Sequence, residues 1–152
     1  MRVSGLVVAV AMLPLSLLAT WAVVRRRVRE RVARNLSAAV AALHRSSYVI
    51  GDLNESNVLV NPSALVTLID TDSFQVQERQ NGRFTIHYCP VGKLEYTPPE
   101  LMGKTLKEVT RLPEHDGYAL AVLVFQLLMG GNHPFRAQWL GSGEPPPLEK
   151  RV

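Results

Sequence analysis

The chain has 152 residues, of which 47% are hydrophobic and 20% charged, and its formal net charge is +4. This length suits one globular domain, and the ordinary composition excludes collagen-like, solenoid and low-complexity architectures. Because Cys89 is the only cysteine, an intramolecular disulfide and a cysteine-rich zinc module are both excluded, and a reducing, cytosolic environment is expected.

The positive charge is concentrated at one end of the chain. The first 34 residues contain seven arginines and one glutamate, so residues 35–152 carry a formal charge of −2. A surface that follows a phosphate backbone needs positive charge spread over the folded domain. We therefore expect no nucleic-acid partner for this chain.

Residues 5–24 form an uncharged, mostly apolar segment that as a helix would cross a hydrocarbon layer of about 30 Å. Trp21 lies near its edge and an arginine run starts at Arg25, which predicts a single-pass membrane protein with its carboxyl-terminal part in the cytoplasm. A cleaved signal peptide is a rival, although its charges should precede the apolar part. The other rivals are a core helix, with a break at Pro14, and a wrongly assigned gene start, which would leave the protein cytoplasmic.

Apolar residues at helical spacing predict an amphipathic helix from Val28 to near Arg45. Two short β-branched runs at 58–60 and 65–69, separated by a turn at Asn61-Pro62, predict a hairpin.

Residues 71–99 are polar and mixed, contain Asn81-Gly82 and Pro98-Pro99, and predict a long ordered loop, with one more hairpin within it as an alternative. The almost wholly apolar stretch 119–129 predicts a buried core helix, with Phe125, Leu127 and Leu128 in its core stripe and Gly130-Gly131 at its end.

Oxygen-bearing side chains surround the first predicted hairpin. Asp52 precedes it, Asn57 opens it, Asp70 closes it and Asp72 follows. Because a hairpin brings its open ends together, we expect these side chains to converge. Their oxygens suit Mg²⁺, and a nearby carboxylate can accept a proton from a hydroxyl nucleophile. The alternative is that they are turn and cap residues, which is the commoner role of carboxylates beside a hairpin.

These motifs resemble those of the protein kinase family. Asp52-Leu53-Asn54-Glu55-Ser56-Asn57 is similar to the kinase catalytic loop, and Asp70, thirteen residues after Asn57, stands where the metal-binding Asp-Phe-Gly motif begins. Further matches in family order are Leu43-His44, Gly92 with Tyr96-Thr97-Pro98-Pro99-Glu100, Asp116-Gly117-Tyr118-Ala119-Leu120-Ala121, Gly130 and Pro134-Phe135. The motif sequences are most similar to those of bacterial kinase-like domains that are often joined to a helix-hairpin-helix DNA-binding region. Residues 1–152 do not contain such a region.

The resemblance implies ATP and Mg²⁺ as cofactors and a protein hydroxyl, of the serine/threonine type, as acceptor. It implies that Asp52 is the catalytic base, that Asn57 and Asp70 hold Mg²⁺ and bind the nucleotide, and that Leu59 lies under the adenine. Asp116 would hold the backbone of the catalytic loop.

The chain departs from the family pattern at several positions. Ile50-Gly51 replaces His-Arg, so no arginine is expected there to clamp an activation-loop phosphate, and we expect no control by that phosphorylation. Asn54 replaces a catalytic lysine, and Lys93, where a threonine is usual, is a candidate to supply the missing cation. Asp72 replaces the glycine of the metal motif and is a candidate ligand for a second metal.

The sequence therefore predicts an α+β, mostly helical fold: a partial kinase-like carboxyl-terminal lobe at 28–140, after a membrane anchor at 1–27 and before an extended tail at 141–152. The upper lobe that holds the glycine-rich loop is not expected in these residues, so Mg-ATP binding should be weak. Two functions stay open. One is a phosphotransferase lobe completed by an upper lobe from the full gene or a partner, and the other is a membrane-tethered pseudokinase that binds another protein.

Overall fold

The computed structural model describes residues 15–136, 139–147 and 150. These residues form an α+β fold of two α-helices and two antiparallel hairpins, in which the helices hold more residues than the strands. The elements are α1 (Leu15–Arg45), β1 (Val58–Val60), β2 (Val66–Leu68), β3 (Val76–Gln80), β4 (Arg83–His87) and α2 (Pro113–Leu128), with five short 3₁₀ turns in the loops.

Helix α1 ends at Arg45 as predicted, but the predicted start at Val28 is wrong, because the helix is continuous from Leu15. Arginine favours helix, and side chains four residues apart support this part of α1. Arg26 pairs with Glu30 at 2.9 Å, and the Arg25 guanidinium lies over the Trp21 ring. The predicted boundary between residues 27 and 28 thus falls inside a helix.

The predicted membrane span at 5–24 lies partly outside the described residues, which begin at 15. Among the helices that the structure does describe, none combines the length and the hydropathy that a membrane crossing requires.

Both predicted hairpins are confirmed. In the first, β1 pairs with β2 with Val58 opposite Leu68. In the second, β3 pairs with β4 across Asn81-Gly82, whose φ angles of 50° and 79° are those of a two-residue turn that matches strand twist.

Helix α2 packs against α1, and the core lies between them and the loop that contains Asp52. The core residues are Leu36, Val40, Ile50, Leu53, Phe74, Tyr96, Ala119, Val122 and Leu123. The predicted helix in the stretch 119–129 is confirmed, but the placement of Phe125 and Leu128 in its core stripe is wrong, since these residues are 39% and 47% exposed. A helix against one layer buries one face, and here that face carries Ala119, Val122 and Leu123.

Candidate active site

The loop that contains Asp52 packs against the hydrophobic core. Ile50 and Leu53 are buried on either side of Asp52, so the loop backbone cannot shift without exposing them. Asp116 of α2, only 1% exposed, accepts hydrogen bonds of 2.8 Å from the backbone N–H groups of Ile50 and Gly51. Its other bond, also 2.8 Å, joins it to His44 Nε2 on α1. These bonds confirm the role that the resemblance implied for Asp116.

The Asp52 side chain is oriented by its neighbours. Its Oδ1 accepts hydrogen bonds from Asn54 Nδ2 at 3.0 Å and from the backbone N–H of Lys93 at 3.1 Å. Within the described residues, its Oδ2 has one hydrogen-bond contact, at 3.5 Å with Asn57 Nδ2. Oδ1 is therefore the more firmly held of the two carboxylate oxygens.

Asn54 acts within the loop. Its buried amide also donates to the Asp52 carbonyl at 3.0 Å, and its Oδ1 accepts from the Ser56 N–H at 2.9 Å, which caps the 3₁₀ turn Glu55–Asn57. The structure therefore places Asn54 beside the candidate base as a group that orients it.

Asn57 and Asp70 are brought together by the first hairpin, as expected. The backbone N–H of Ile69 donates to the Asn57 carbonyl at 3.0 Å, and Asp70 follows with a left-handed φ of 60°. Asn57 Nδ2 donates to the Asp52 carbonyl at 3.0 Å. Since Nδ2 is used as the donor, the amide oxygen is the atom that remains to act as a metal ligand.

The carboxylates around Asp70 repel one another. Desolvation, then the hydrogen bond and charge of Asp72, then the charge of Asp52, raise the pKa of Asp70. Bringing like charges together is costly unless a cation neutralises them.

Asn57, Asp70 and Asp72 offer hard oxygen donors, which fit Mg²⁺. Within the described part of the chain, no three His, Cys, Asp or Glu side chains form a metal-binding group by themselves. Mg²⁺ itself takes few protein ligands and completes its shell with water and phosphate oxygens.

Lys93 contacts two parts of the catalytic loop. Its backbone N–H reaches Asp52, whereas its ammonium pairs with Glu55 and lies 5.5 Å from the centre of the Tyr96 ring. Although partial burial opposes the effect, hydrogen bonds from Lys93 and Tyr96 lower the pKa of Glu55. Sequence reasoning missed Glu55, because nothing in the local pattern links it to a residue 38 positions away.

Leu59 lies on β1, on the face of the hairpin opposite Val58 and Val60, and is 54% exposed. A flat apolar ring could rest on this face of the hairpin, so the role of Leu59 under the adenine stays a prediction.

Residues 12–141 match the protein kinase domain family, which is most of the chain. The chain therefore belongs to the protein kinase family. The matched range starts within the apolar segment 5–24 and includes the candidate base, the candidate metal ligands and α2.

Individual relatives agree with this assignment. The chain is 41% identical over 107 residues to "Protein kinase YegI" of Escherichia coli, an alignment that covers 68% of this chain and 16% of that protein. It is 26% identical over 102 residues to "Probable serine/threonine-protein kinase irlC" of Dictyostelium discoideum, with 67% and 7% covered. It is 30% identical over 104 residues to "Rho-associated protein kinase let-502" of Caenorhabditis briggsae, with 68% and 8% covered. The chain thus spans a small part of the length of these relatives.

Proposed function

We propose that this chain is the lower lobe of a Mg-dependent phosphotransferase that moves a phosphoryl group from ATP to a serine or threonine hydroxyl of a protein. The observation that carries this proposal is the convergence of Asp52, Asn57 and Asp70 at one end of the first hairpin, with the Asn57 amide bonded to the Asp52 carbonyl. The serine/threonine type is supported by the likeness to "Probable serine/threonine-protein kinase irlC" of Dictyostelium discoideum, which is 26% identical.

Each converging side chain has a distinct task in this proposal. Asp52 orients the substrate hydroxyl and takes its proton on Oδ2, since Oδ1 is held by Asn54 and by the Lys93 N–H. The Asn57 amide oxygen and the Asp70 carboxylate would hold Mg²⁺, and Asp72 would add a carboxylate for a second ion. A bound Mg-ATP would supply the phosphoryl group, and its Mg²⁺ would neutralise the negative charge of the phosphates.

Lys93 is proposed as the cation that stands in for the lysine replaced by Asn54. Its backbone bond to Asp52 keeps the start of its side chain beside the base, and Glu55 holds the ammonium at the edge of the site. Losing one such group typically lowers turnover on the order of 10²-fold. Lys93→Met should show this loss when the upper lobe is present, and unchanged turnover would refute the role.

Mg-ATP binding by the 152-residue chain tests the proposal directly. Isothermal titration should show weak binding, and Asp70→Asn should weaken it at least about tenfold because one of few metal ligands is lost. Glu114→Gln, at an exposed acid in the first turn of α2, is the matched control and should bind as the unmodified chain does. Equal binding by Asp70→Asn and the control would contradict the assignment of Asp70.

An upper lobe is the first proposed partner, supplied by the full-length protein or by another chain. The exposed apolar side chains of Leu59, Val60, Leu65 and Ile69, on and beside the first hairpin, support a domain that covers the hairpin. The second partner is the protein that carries the hydroxyl.

A protein-binding module without catalysis is the second candidate. It is favoured by Phe125, Leu128 and Met129, which leave an apolar surface exposed at the end of α2. The same titration separates the two functions, since a pure binding module would show no Mg-ATP binding with or without Asp70→Asn.

Membrane attachment completes the proposal. The uncharged residues 5–24 and the arginines that follow them support a single span with residues 28–152 in the cytoplasm. Carbonate extraction of cell membranes should leave the chain in the pellet, and its release to the supernatant would refute the span.

A further inference from the structure

A buried arginine lies beneath the segment that contains Lys93. Arg111, in the loop before α2, is only 2% exposed. Its backbone is held by the Gln75 side chain, which accepts from the Arg111 N–H at 2.6 Å and donates to the Arg111 carbonyl at 2.8 Å. Gln75 in turn exchanges backbone hydrogen bonds with Val49, just before the catalytic loop. The start of the Arg111 side chain is therefore fixed relative to the catalytic loop.

The guanidinium of Arg111 bonds to a peptide group instead of a carboxylate. Its Nη2 donates to the Val91 carbonyl at 2.9 Å, and its Nε is buried without a hydrogen-bond partner in the described structure. Among the described residues, the ion pairs do not include Arg111. Burying a cation without a counter-ion costs free energy. A function for the bond to Val91 would explain why this cost is tolerated.

The Arg111 side chain lies between the catalytic loop and the segment that faces it. A Cβ added to Gly51 would lie 3.6 Å from Arg111 Cγ and 2.6 Å from Cys89 Cβ, so Cys89 leaves no space there for a side chain. A Cβ at Gly92 would lie 3.1 Å from Arg111 Nη2. The position before Asp52 therefore has no room for an arginine, and the guanidinium enters this region from the loop before α2.

We infer that Arg111 is a positioning residue that holds residues 91–93 in place without any phosphate. Its bond to the Val91 carbonyl fixes the chain two residues before the Lys93 N–H, which reaches Asp52 Oδ1 at 3.1 Å. The orientation of the candidate base then depends on a permanent cation inside the fold. The importance of this bond for phosphoryl transfer rests on the proposed function, whereas the ordering of the segment does not.

Amide hydrogen exchange of the full chain, without nucleotide, tests this inference. The protein is first shown by intact mass to be unphosphorylated, and its Lys93, Tyr96 and Thr97 amides should already be protected. In Arg111→Met these amides should exchange at least tenfold faster while α2 amides keep their rates, and Arg111→Lys should restore part of the protection. Arg83→Met, at an exposed arginine of β4, is the matched control and should leave all rates unchanged.

Three results would overturn the inference. The first is an unprotected segment in the unphosphorylated protein, and the second is unchanged segment rates in a folded Arg111→Met. The third is equal acceleration of α2 and the segment in both Arg111 variants, which would make Arg111 a general folding residue. None of these results depends on nucleotide, so failure of the proposed function would appear separately, in the Mg-ATP titration.

Discussion

Replacing Asp116 should damage the fold more than replacing any exposed acid of the same helix. Asp116→Ala removes the acceptor of three 2.8 Å bonds and leaves the N–H groups of Ile50 and Gly51 without a partner. Each unsatisfied buried donor costs about 1–3 kcal/mol, so the expected loss for the two donors is about 2–6 kcal/mol. This is a large part of the roughly 5–15 kcal/mol by which a domain is stable.

Asp116→Asn provides a graded version of the same change. The remaining amide oxygen can serve Ile50, but the NH₂ group then faces the Gly51 N–H, so we expect a loss of about 2 kcal/mol. Urea unfolding followed by far-UV circular dichroism measures both values if the slope m is unchanged. Glu114→Gln, also in the first turn of α2, should cost about 0.3–1 kcal/mol through the helix dipole alone. Equal midpoints for Asp116→Ala and this control would refute the reasoning.

Three further predictions follow from the loops around the site. Gly51→Ala should lower the free energy of unfolding by about 1–3 kcal/mol more than Gly82→Ala, because both have positive φ but only Gly51 lies against Cys89; equal urea midpoints would contradict this. Asp72→Asn should lower the pKa of Asp70, measured by ¹³C NMR of its carboxyl, and an unmoved pKa would be inconsistent with the charge repulsion described above. Because a proton competes with a cation for this raised-pKa carboxylate, Mn²⁺ affinity should rise with pH through the Asp70 titration.

The local sequence was sufficient to predict those parts of the structure that depend on residues close together in the chain. The Asn81-Gly82 turn and the β-branched runs predicted both hairpins, because turn conformation and strand preference act over a few residues. The first hairpin then brought Asn57 next to the segment that ends at Asp70. The proximity of these two candidate metal ligands therefore followed from strand pairing alone.

Apolar spacing alone did not give the bounds of α1 or the exposed side of α2. The sequence placed the start of α1 at Val28, whereas continuous helical hydrogen bonding and pairs such as Arg26 with Glu30 extend it back to Leu15. The exposed Phe125 shows that hydrophobicity alone does not tell which face of α2 meets a neighbour.

The sequence by itself determined the protein kinase family and the hairpins and supplied the candidate site residues, because motif spacing and turn preference are local properties. Only the tertiary structure decided how the candidate base Asp52 is held, through Asp116, the Lys93 backbone and the buried Arg111. These groups lie 20 to 66 positions from the groups they bond, and a hydrogen bond across such a distance leaves no periodic signal in the chain.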